Sequence, residues 1–540
     1  MTGADSPRRV IAGRSVRWDE ERARDAYARG LWVRDTLGAA LARLAAAEPE
    51  RVLLVEEGQP IAAAELWTRA ERLARVLAAR YPRGSVISFM LPNWREAAEV
   101  YHAAGLAGMV AQPILPSLRS RELRFLLADS ASRAVFIPER FRNHPCSEML
   151  AEVVAALSDP PEVVVVRGDS GPHTAYETLL AAPGADALPA PDPDEVRMIM
   201  YTSGTTGRPK GVMHSYNSLH ALIRQLGEHW LIEPGDRFLV ASPISHIGGS
   251  IYAFEMPILL GTTAVLMEQW QPDAGVALME REGITHFAGA TPFLQGTLEA
   301  ARRAGTRLPH LKVFICGGAS VPPSLIREAA AHFERAAVTR VYGSTEVPVT
   351  TVGVLDREDV QHAAETDGKP GIAEVKLGPD GEVLARGPQM LLGYHNPADE
   401  AGAFDEAGFY RTGDQGRWVD GDYLVITGRI KDIIIRHGEN IAPKEIEDLL
   451  VEHPAIAEVA IVGLPDPRTG ERACAVIVPR GDAHPTVAEL YDFLVAKGVA
   501  KFKIPEQVEI RSSLPKNDAG KVLKQRLREE LAGTPRPPQA

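Results

Sequence analysis

Short, largely apolar runs alternate with segments of helical apolar spacing along two long stretches of this chain, and that alternation restricts its fold more than any other feature. Val86–Leu91, Val110–Ile114 and Ala134–Ile137 read as strands buried on both faces, and Glu96–Ala107 and Ser120–Ala128 between them place apolar residues three and four apart. Strands joined in this way by helices make a parallel sheet covered on both sides, the core of an α/β fold. The rhythm resumes at Arg197–Tyr201 and continues to about Gly343, which makes two α/β subdomains. By its spacing Leu31–Ala79 reads as helical throughout, and the Pro-, Ala- and Asp-rich Ala181–Asp194 as an exposed connector. Gly371–Arg429 then changes to short strands and Gly and Asp turns, the pattern of a small β-barrel-like unit. Beyond Lys431 a compact α+β pattern begins, with a helix at Pro443–Glu452 that starts on proline and carries Glu445 near its positive end. The expected organisation is an N-terminal domain over residues 1–430 and a smaller C-terminal domain over 431–540.

The segment Tyr201-Thr-Ser-Gly-Thr-Thr-Gly-Arg-Pro-Lys210-Gly211 lies between the strand ending at Tyr201 and helical spacing over Ser215–Leu226. Its glycines let backbone N–H groups turn toward an anion, and the hydroxyls of Thr202, Ser203, Thr205 and Thr206 add donors, so the loop suits a polyphosphate. No Gly-Lys-Ser/Thr follows at the spacing of a Walker A loop, which speaks against ordinary γ-phosphoryl transfer.

Composition narrows the partners. The chain carries 71 acidic against 59 basic residues, a net charge of −12, which argues against a general nucleic-acid binder. Its three cysteines, Cys146, Cys316 and Cys474, are far apart and odd in number, and fit neither a disulfide framework nor a zinc cluster. Met1–Arg17 lacks the apolar centre of an export signal, and apolar stretches such as Ile251–Leu260, which includes Glu255, are too short for an integral membrane segment. A cytoplasmic enzyme is expected, with a homodimer left open.

Further segments follow the phosphate loop: Tyr342-Gly-Ser-Thr-Glu346, Tyr410-Arg-Thr-Gly-Asp414, Gly428-Arg429-Ile-Lys431-Asp432 with Arg436-His437-Gly438, and Pro515-Lys-Asn-Asp-Ala-Gly-Lys521. In kind and order they resemble those of the adenylate-forming superfamily, which includes acyl-CoA synthetases, amino-acid adenylation domains and firefly luciferase. The resemblance covers nearly the whole chain. It implies ATP, Mg2+ and coenzyme A as cofactors, and a C-terminal domain that moves about a hinge at Lys431. Thr202, Ser203, Gly204, Thr206, Gly207 and Lys210 would hold phosphates, Tyr342 and Gly343 the adenine, Thr345 the α-phosphate and Asp414 the ribose hydroxyls. Arg429 would add a ribose or phosphate contact, and Thr205 and Glu346 would hold Mg2+. Lys521 would be the catalytic lysine, and Arg436, His437 and Gly438 would line the pantetheine tunnel. Each assignment is chemically sensible: Mg2+ favours hard oxygen ligands, and an ammonium offsets negative charge that grows during attack on phosphorus. Gly317, Gly318 and Ala319, after Cys316, fit either a plain tight turn or, by the resemblance, the adenine and acid pocket. The family commonly has Thr or Ser at the position of Asn517 and often Arg at that of Lys524, neither of which touches Lys521.

Relatives that activate amino acids carry an Asp where this chain has Ile247, in Pro243-Ile-Ser-His246-Ile247-Gly-Gly-Ser250. An ammonium buried there would lack a counter-charge, so an amino-acid substrate is disfavoured. His246 resembles the gating histidine of fatty-acyl and aryl synthetases, and His246, Ile247, Gly248, Gly289 and Val349 are the candidate acid-binding residues. Leu91-Pro-Asn-Trp94 and Pro116–Arg124 look most like synthetases of cyclohexanecarboxylate, medium-chain or steroid side-chain acids. The expected function is an ATP-dependent acyl-CoA synthetase acting on a small carboxylic acid and CoA. The alternative is an acyl-AMP ligase that loads a carrier protein.

Overall fold

The computed structural model describes residues 8–202, 208–318, 321–437, 439–466, 468–517 and 520–532. Two seven-stranded sheets form its larger part. One runs in the order 174–175, 162–165, 132–137, 86–89, 110–113, 196–202, 210–215, and the other 337–341, 313–317, 286–289, 237–240, 263–266, 52–56, 59–62. The strands are parallel except for the antiparallel pairs 196–202 with 210–215 and 52–56 with 59–62.

Side chains along these strands alternate between two apolar layers, which is why their sequences are apolar without a polar face. Ala134 and Phe136 face the layer between the sheets, while Val135 and Ile137 face an outer layer with Leu123, Leu126 and Leu150. Val313 and Ile315 face the same inner layer, while Phe314 and Cys316 meet the outer helices 272–282, 291–304 and 323–332. The inner layer holds helices 37–47, 63–80, 95–106 and 216–229. Each large apolar side chain fully buried there contributes on the order of 1.5–3 kcal/mol.

Two elements differ from the reading of the sequence. The hairpin Val52–Glu56 and Gln59–Ala62 interrupts the helical spacing of Leu31–Ala79, turning at Glu57 and Gly58 with φ of 50° and 78°, a turn that needs glycine's freedom. Lys210–Ser215 is a strand, and the helix begins only at Tyr216, where Ser215 and Ser218 form a reciprocal cap. The phosphate loop therefore joins two antiparallel strands rather than a strand and a helix.

A four-stranded antiparallel meander, 374–377, 382–386, 410–419 and 423–429, follows as an open sheet. The smaller C-terminal domain has its own sheet, ordered 439–441, 434–436, 470–479, 456–466, with 507–510 paired parallel to 470–479. Among the described residues no apolar cluster draws side chains from both sides of Lys431. The whole is a mixed α/β protein with a large N-terminal and a smaller C-terminal domain. No helix among the described residues is long and apolar enough to cross a membrane.

One buried ion pair ties the second sheet to the meander. Arg340 donates to Asp367 Oδ1 at 2.8 Å and to the Ala364 carbonyl at 2.9 Å, while Asp367 Oδ2 accepts from the Ile426 amide at 2.8 Å. Removing one partner strands the other's charge in the core. Asp367→Ala should destabilise the N-terminal domain by about 3–5 kcal/mol in denaturant unfolding monitored by tryptophan fluorescence.

Candidate active site

Strands 286–289, 313–317 and 337–341 end side by side, with Gly289 paired to Cys316 and Gly317 to Val341. Ligands of α/β sheets bind at such carboxyl ends. Close approach explains two of the glycines here: a Cβ on Gly317 would lie 2.8 Å from the Val341 carbonyl, and one on Gly343 2.5 Å from the Val349 amide. Gly318 has φ 80°, while Ala319 lies outside the described residues.

Tyr342 leaves the last of these strands and donates its hydroxyl to Asp414 Oδ2 at 2.7 Å. Asp414 and Arg429 are cross-strand partners in the meander, and Arg429 Nε sits 2.9 Å from Asp414 Oδ1. Burial, with the Asp414 carboxylate beside it, pushes the Tyr342 phenol well above its ordinary range, which fixes it as the donor.

Glu346 is buried. Its Oε1 accepts from the Tyr394 hydroxyl at 2.9 Å, and Tyr394 in turn lies 3.1 Å from the Tyr410 hydroxyl. The Lys210 ammonium stands 5.0 Å from the Tyr394 ring and donates to the Asp399 carbonyl at 3.2 Å. Strand pairing sets Lys210 opposite Thr202. Ser203, Gly204, Thr205, Thr206 and Gly207 lie outside the described residues. Thr345 is held through its carbonyl by His214 Nε2–H at 2.7 Å, and burial lowers that histidine to about 4, so its ring is neutral. Val349 adopts φ 44°, a costly backbone for a β-branched residue, with its carbonyl accepting from Gln225 Nε2 at 2.8 Å.

The C-terminal domain brings Lys521 to this cleft. Its loop is closed by the Asn517 side chain, which accepts from the Lys521 amide at 2.8 Å, and Gly520, with φ 79°, packs so close to Pro292 that a Cβ would fall 2.8 Å from its Cγ. Burial first and the Arg429 guanidinium second pull the Lys521 ammonium down to about 8, with Asp414 opposing the shift. Lys431 sits in the short helical turn 430–432 between the domains. Arg436 forms a two-pronged pair with Glu506 at 2.9 and 3.0 Å inside the C-terminal domain, and His437 turns the chain with φ 52°. Gly438 lies outside the described residues.

His246 heads the helix Ile247–Ser250; burial holds its ring near 4 and therefore neutral. Ile247, Val341 and Val349 are half-buried against the inner apolar layer, and nothing lies within 4 Å of where a Gly248 Cβ would be. A neutral, apolar wall of this kind suits the hydrocarbon part of an acid.

Among the described residues no three His, Cys, Asp or Glu side chains gather as a metal cage. A single buried carboxylate oriented by Tyr394 fits Mg2+ arriving with a polyphosphate, because that ion takes one or two carboxylates and keeps its other ligands as phosphate and water oxygen. Glu346 would hold it, and Mg2+ would supply neutralisation of phosphate charge.

The Asp414–Arg429 pair, the buried carboxylate of Glu346 and a lysine from the C-terminal domain thus gather beside the ends of these strands. The model of the AMP-binding enzyme family matches residues 41–395, and that of the AMP-binding enzyme C-terminal domain residues 445–521. The medium-chain fatty-acid–CoA ligase of Escherichia coli is 33% identical, with 95% of this chain and 93% of the relative covered. The 2,3-dihydroxybenzoate-AMP ligase of Bacillus subtilis is 32% identical, over 95% of this chain and 97% of the relative. The o-succinylbenzoate CoA synthetase of Bacillus subtilis with its acyl-adenylate superposes with TM-score 0.79 at 26% identity, covering 91% and 97% of the two chains. The chain belongs to the AMP-binding enzyme family, in its acyl-CoA synthetase branch.

The sequence reading missed Tyr394, His214 and Gln225. Each acts through a partner 48 or more residues away, and none stands in a motif whose chemistry announces it. Tyr394→Phe removes the donor to Glu346 Oε1, and should raise the Mg2+ concentration for half-maximal pyrophosphate release about tenfold while the circular dichroism spectrum is unchanged.

Proposed function

We propose that Lys521, Glu346, Asp414 and Arg429 form the adenylation site of this AMP-forming acid–thiol ligase, an ATP-dependent acyl-CoA synthetase. A carboxylate oxygen attacks the α-phosphorus of ATP, the bond to the bridging oxygen breaks, and pyrophosphate leaves from an acyl-AMP. The sulfur of CoA then attacks the acyl carbon, the thiol proton is released, and AMP leaves as the acyl-CoA forms. The observation that carries this assignment is that buried Lys521 lies within electrostatic reach of the Asp414–Arg429 pair. There its ammonium meets charge developing at the α-phosphate, while Asp414 offers acceptors to the ribose and Lys210 a cation to the phosphates.

Thioester formation needs a thiol where Lys521 now sits. We therefore propose that residues from 431 onward rotate about Lys431, withdrawing Lys521 and carrying Arg436, His437 and Gly438 to the cleft. The separate apolar clusters on either side of Lys431 support this reading. For the acid, Ile247 in place of a counter-charge and a neutral His246 support an apolar carboxylate without an α-ammonium. Relatives named for medium-chain fatty acids and for an octahydroindenyl-propanoate fit that range. Three free, buried thiols fit a reducing cytoplasm.

Pyrophosphate release and CoA consumption over a panel of acids test the assignment. Medium-chain and alicyclic acids should exceed acetate and free amino acids; preferred turnover of an amino acid would overturn the reading of Ile247. Lys521→Ala should slow acyl-AMP formation a hundredfold or more, on the order seen when one transition-state electrostatic partner is removed, yet still convert supplied acyl-AMP and CoA to thioester. Equal loss of both half-reactions would refute the division. Because the free enzyme's Lys521 titrates near 8, kcat/KM for ATP should fall as pH rises through that value. Lys521→Arg, which stays charged, should flatten this alkaline limb in a pH profile of adenylation.

A further inference from the structure

Among the described residues the His246 ring makes no hydrogen bond of its own. Its Nε2 is buried without a partner among the described residues, and its direction is inherited from the backbone of 241–246. That backbone is held by a side chain from the other sheet. Asn93 follows strand 86–89 of the first sheet, is buried, and donates through Nδ2 to the carbonyls of Val240 at 3.0 Å, Ser242 at 3.1 Å and Met267 at 3.1 Å. Its Oδ1 accepts from the Ile244 amide at 3.0 Å. The orientation of the amide is unambiguous, because three carbonyls can only accept and one N–H can only donate. Val240 and Met267 lie at the ends of adjacent strands of the second sheet, so this one side chain spans the gap between sheets where the acid-side loop departs. Next to it Trp94 Nε1 donates to Glu268 at 2.8 Å, which closes the same junction.

From this geometry we infer that Asn93 is the residue that positions His246, and with it the mouth of the acid site. Two amide hydrogens shared among three carbonyls tie the chain on both sides of Ser242, and the bond from Ile244 fixes the turn two residues before His246. From there the chain needs only the His246 amide bond to the Pro243 carbonyl, at 2.9 Å, to set the ring. Gly249 completes the fit: a Cβ there would lie 2.1 Å from the Pro243 carbonyl oxygen, so the loop and the first turn of the helix have no slack between them. Lys210 lies on the edge strand of the first sheet, apart from this junction, which predicts that loosening Asn93 disturbs the acid more than ATP.

The inference rests on the reading of His246 as part of the acid site, and the experiment separates the two. Steady-state KM for the best acid of the panel and for ATP is measured for Asn93→Ala, Asn93→Asp and His246→Ala, with thermal midpoints recorded alongside. Asn93→Ala should raise the acid KM about tenfold, the size of losing a buried amide's hydrogen bonds, and change the ATP KM less than about twofold. Asn93→Asp keeps the acceptor for Ile244 but faces three carbonyls with a carboxylate, and should be worse for the acid than alanine. Asn93→Ser, which keeps one donor, should give an intermediate rise and serves if the alanine variant does not fold. Parallel changes in both KM values would show a merely structural role and overturn the inference. A raised acid KM in His246→Ala with none in the Asn93 variants would overturn it alone; an unchanged acid KM in His246→Ala would instead remove the reading of the acid site.

Discussion

The arrangement turns on the buried carboxylate of Asp414. It is paired across two strands with Arg429, accepts from Tyr342 and lies within electrostatic reach of Lys521. Three separate parts of the chain converge on this one anion: the end of the second sheet, the last strand of the meander, and the C-terminal domain. A buried carboxylate is costly without cations or donors, and each part supplies one. The residue just past Arg429 begins the helical turn 430–432, so this pair stands where the C-terminal domain starts.

Around that anion the N-terminal domain is built without slack. Gly343 has room for no side chain against Val349, Val349 is held in a left-handed backbone by Gln225, and the same Gln225 Oε1 accepts from Ile372 at 2.6 Å. Strain of this kind persists only where neighbours over-determine it. The C-terminal domain meets the N-terminal one through Gly520 against Pro292, through Lys521 near Asp414 and Arg429, and through helix 443–450 against strand 423–429, while its own ion pairs, Arg436 with Glu506 and Arg528 with Asp432, are internal or adjacent to the turn at Lys431.

Much of this was legible in the sequence because it is local. Strands apolar on both faces, the Ser/Thr/Gly loop and the lysine loop each announce themselves within about ten residues. The hairpin at 52–62 was hidden because Leu31–Ala79 has apolar residues at spacings that serve either period, and only Gly58 signals the turn. The strand 210–215 was hidden for a related reason: Gly211 to Ser215 is short, and the helical spacing that follows absorbs it. Tyr394, His214 and Gln225 were not legible at all, and Asn93 showed only as part of the Leu91–Trp94 phrase, without its role. Their meaning lies in bonds that span 48 to 174 residues, and no periodicity reports a pairing of that range. Arg436, a tunnel residue by the resemblance, pairs in the structure with Glu506 of its own domain.

For the rotation proposed above, the same electrostatics would favour the withdrawal of Lys521. A lysine lowered from 10.5 to about 8 is disfavoured in its charged form by roughly 3 kcal/mol where it is docked, relative to water. Docking without a bound anion would carry that cost, and the negative charge of a triphosphate would offset it. Once pyrophosphate has left, most of that charge is gone while the burial remains. Under the rotation proposed above, the docked arrangement would then lose its advantage as the second half-reaction begins, and a two-state hinge biased by a few kcal/mol would be enough to couple the first step to the motion that precedes the second.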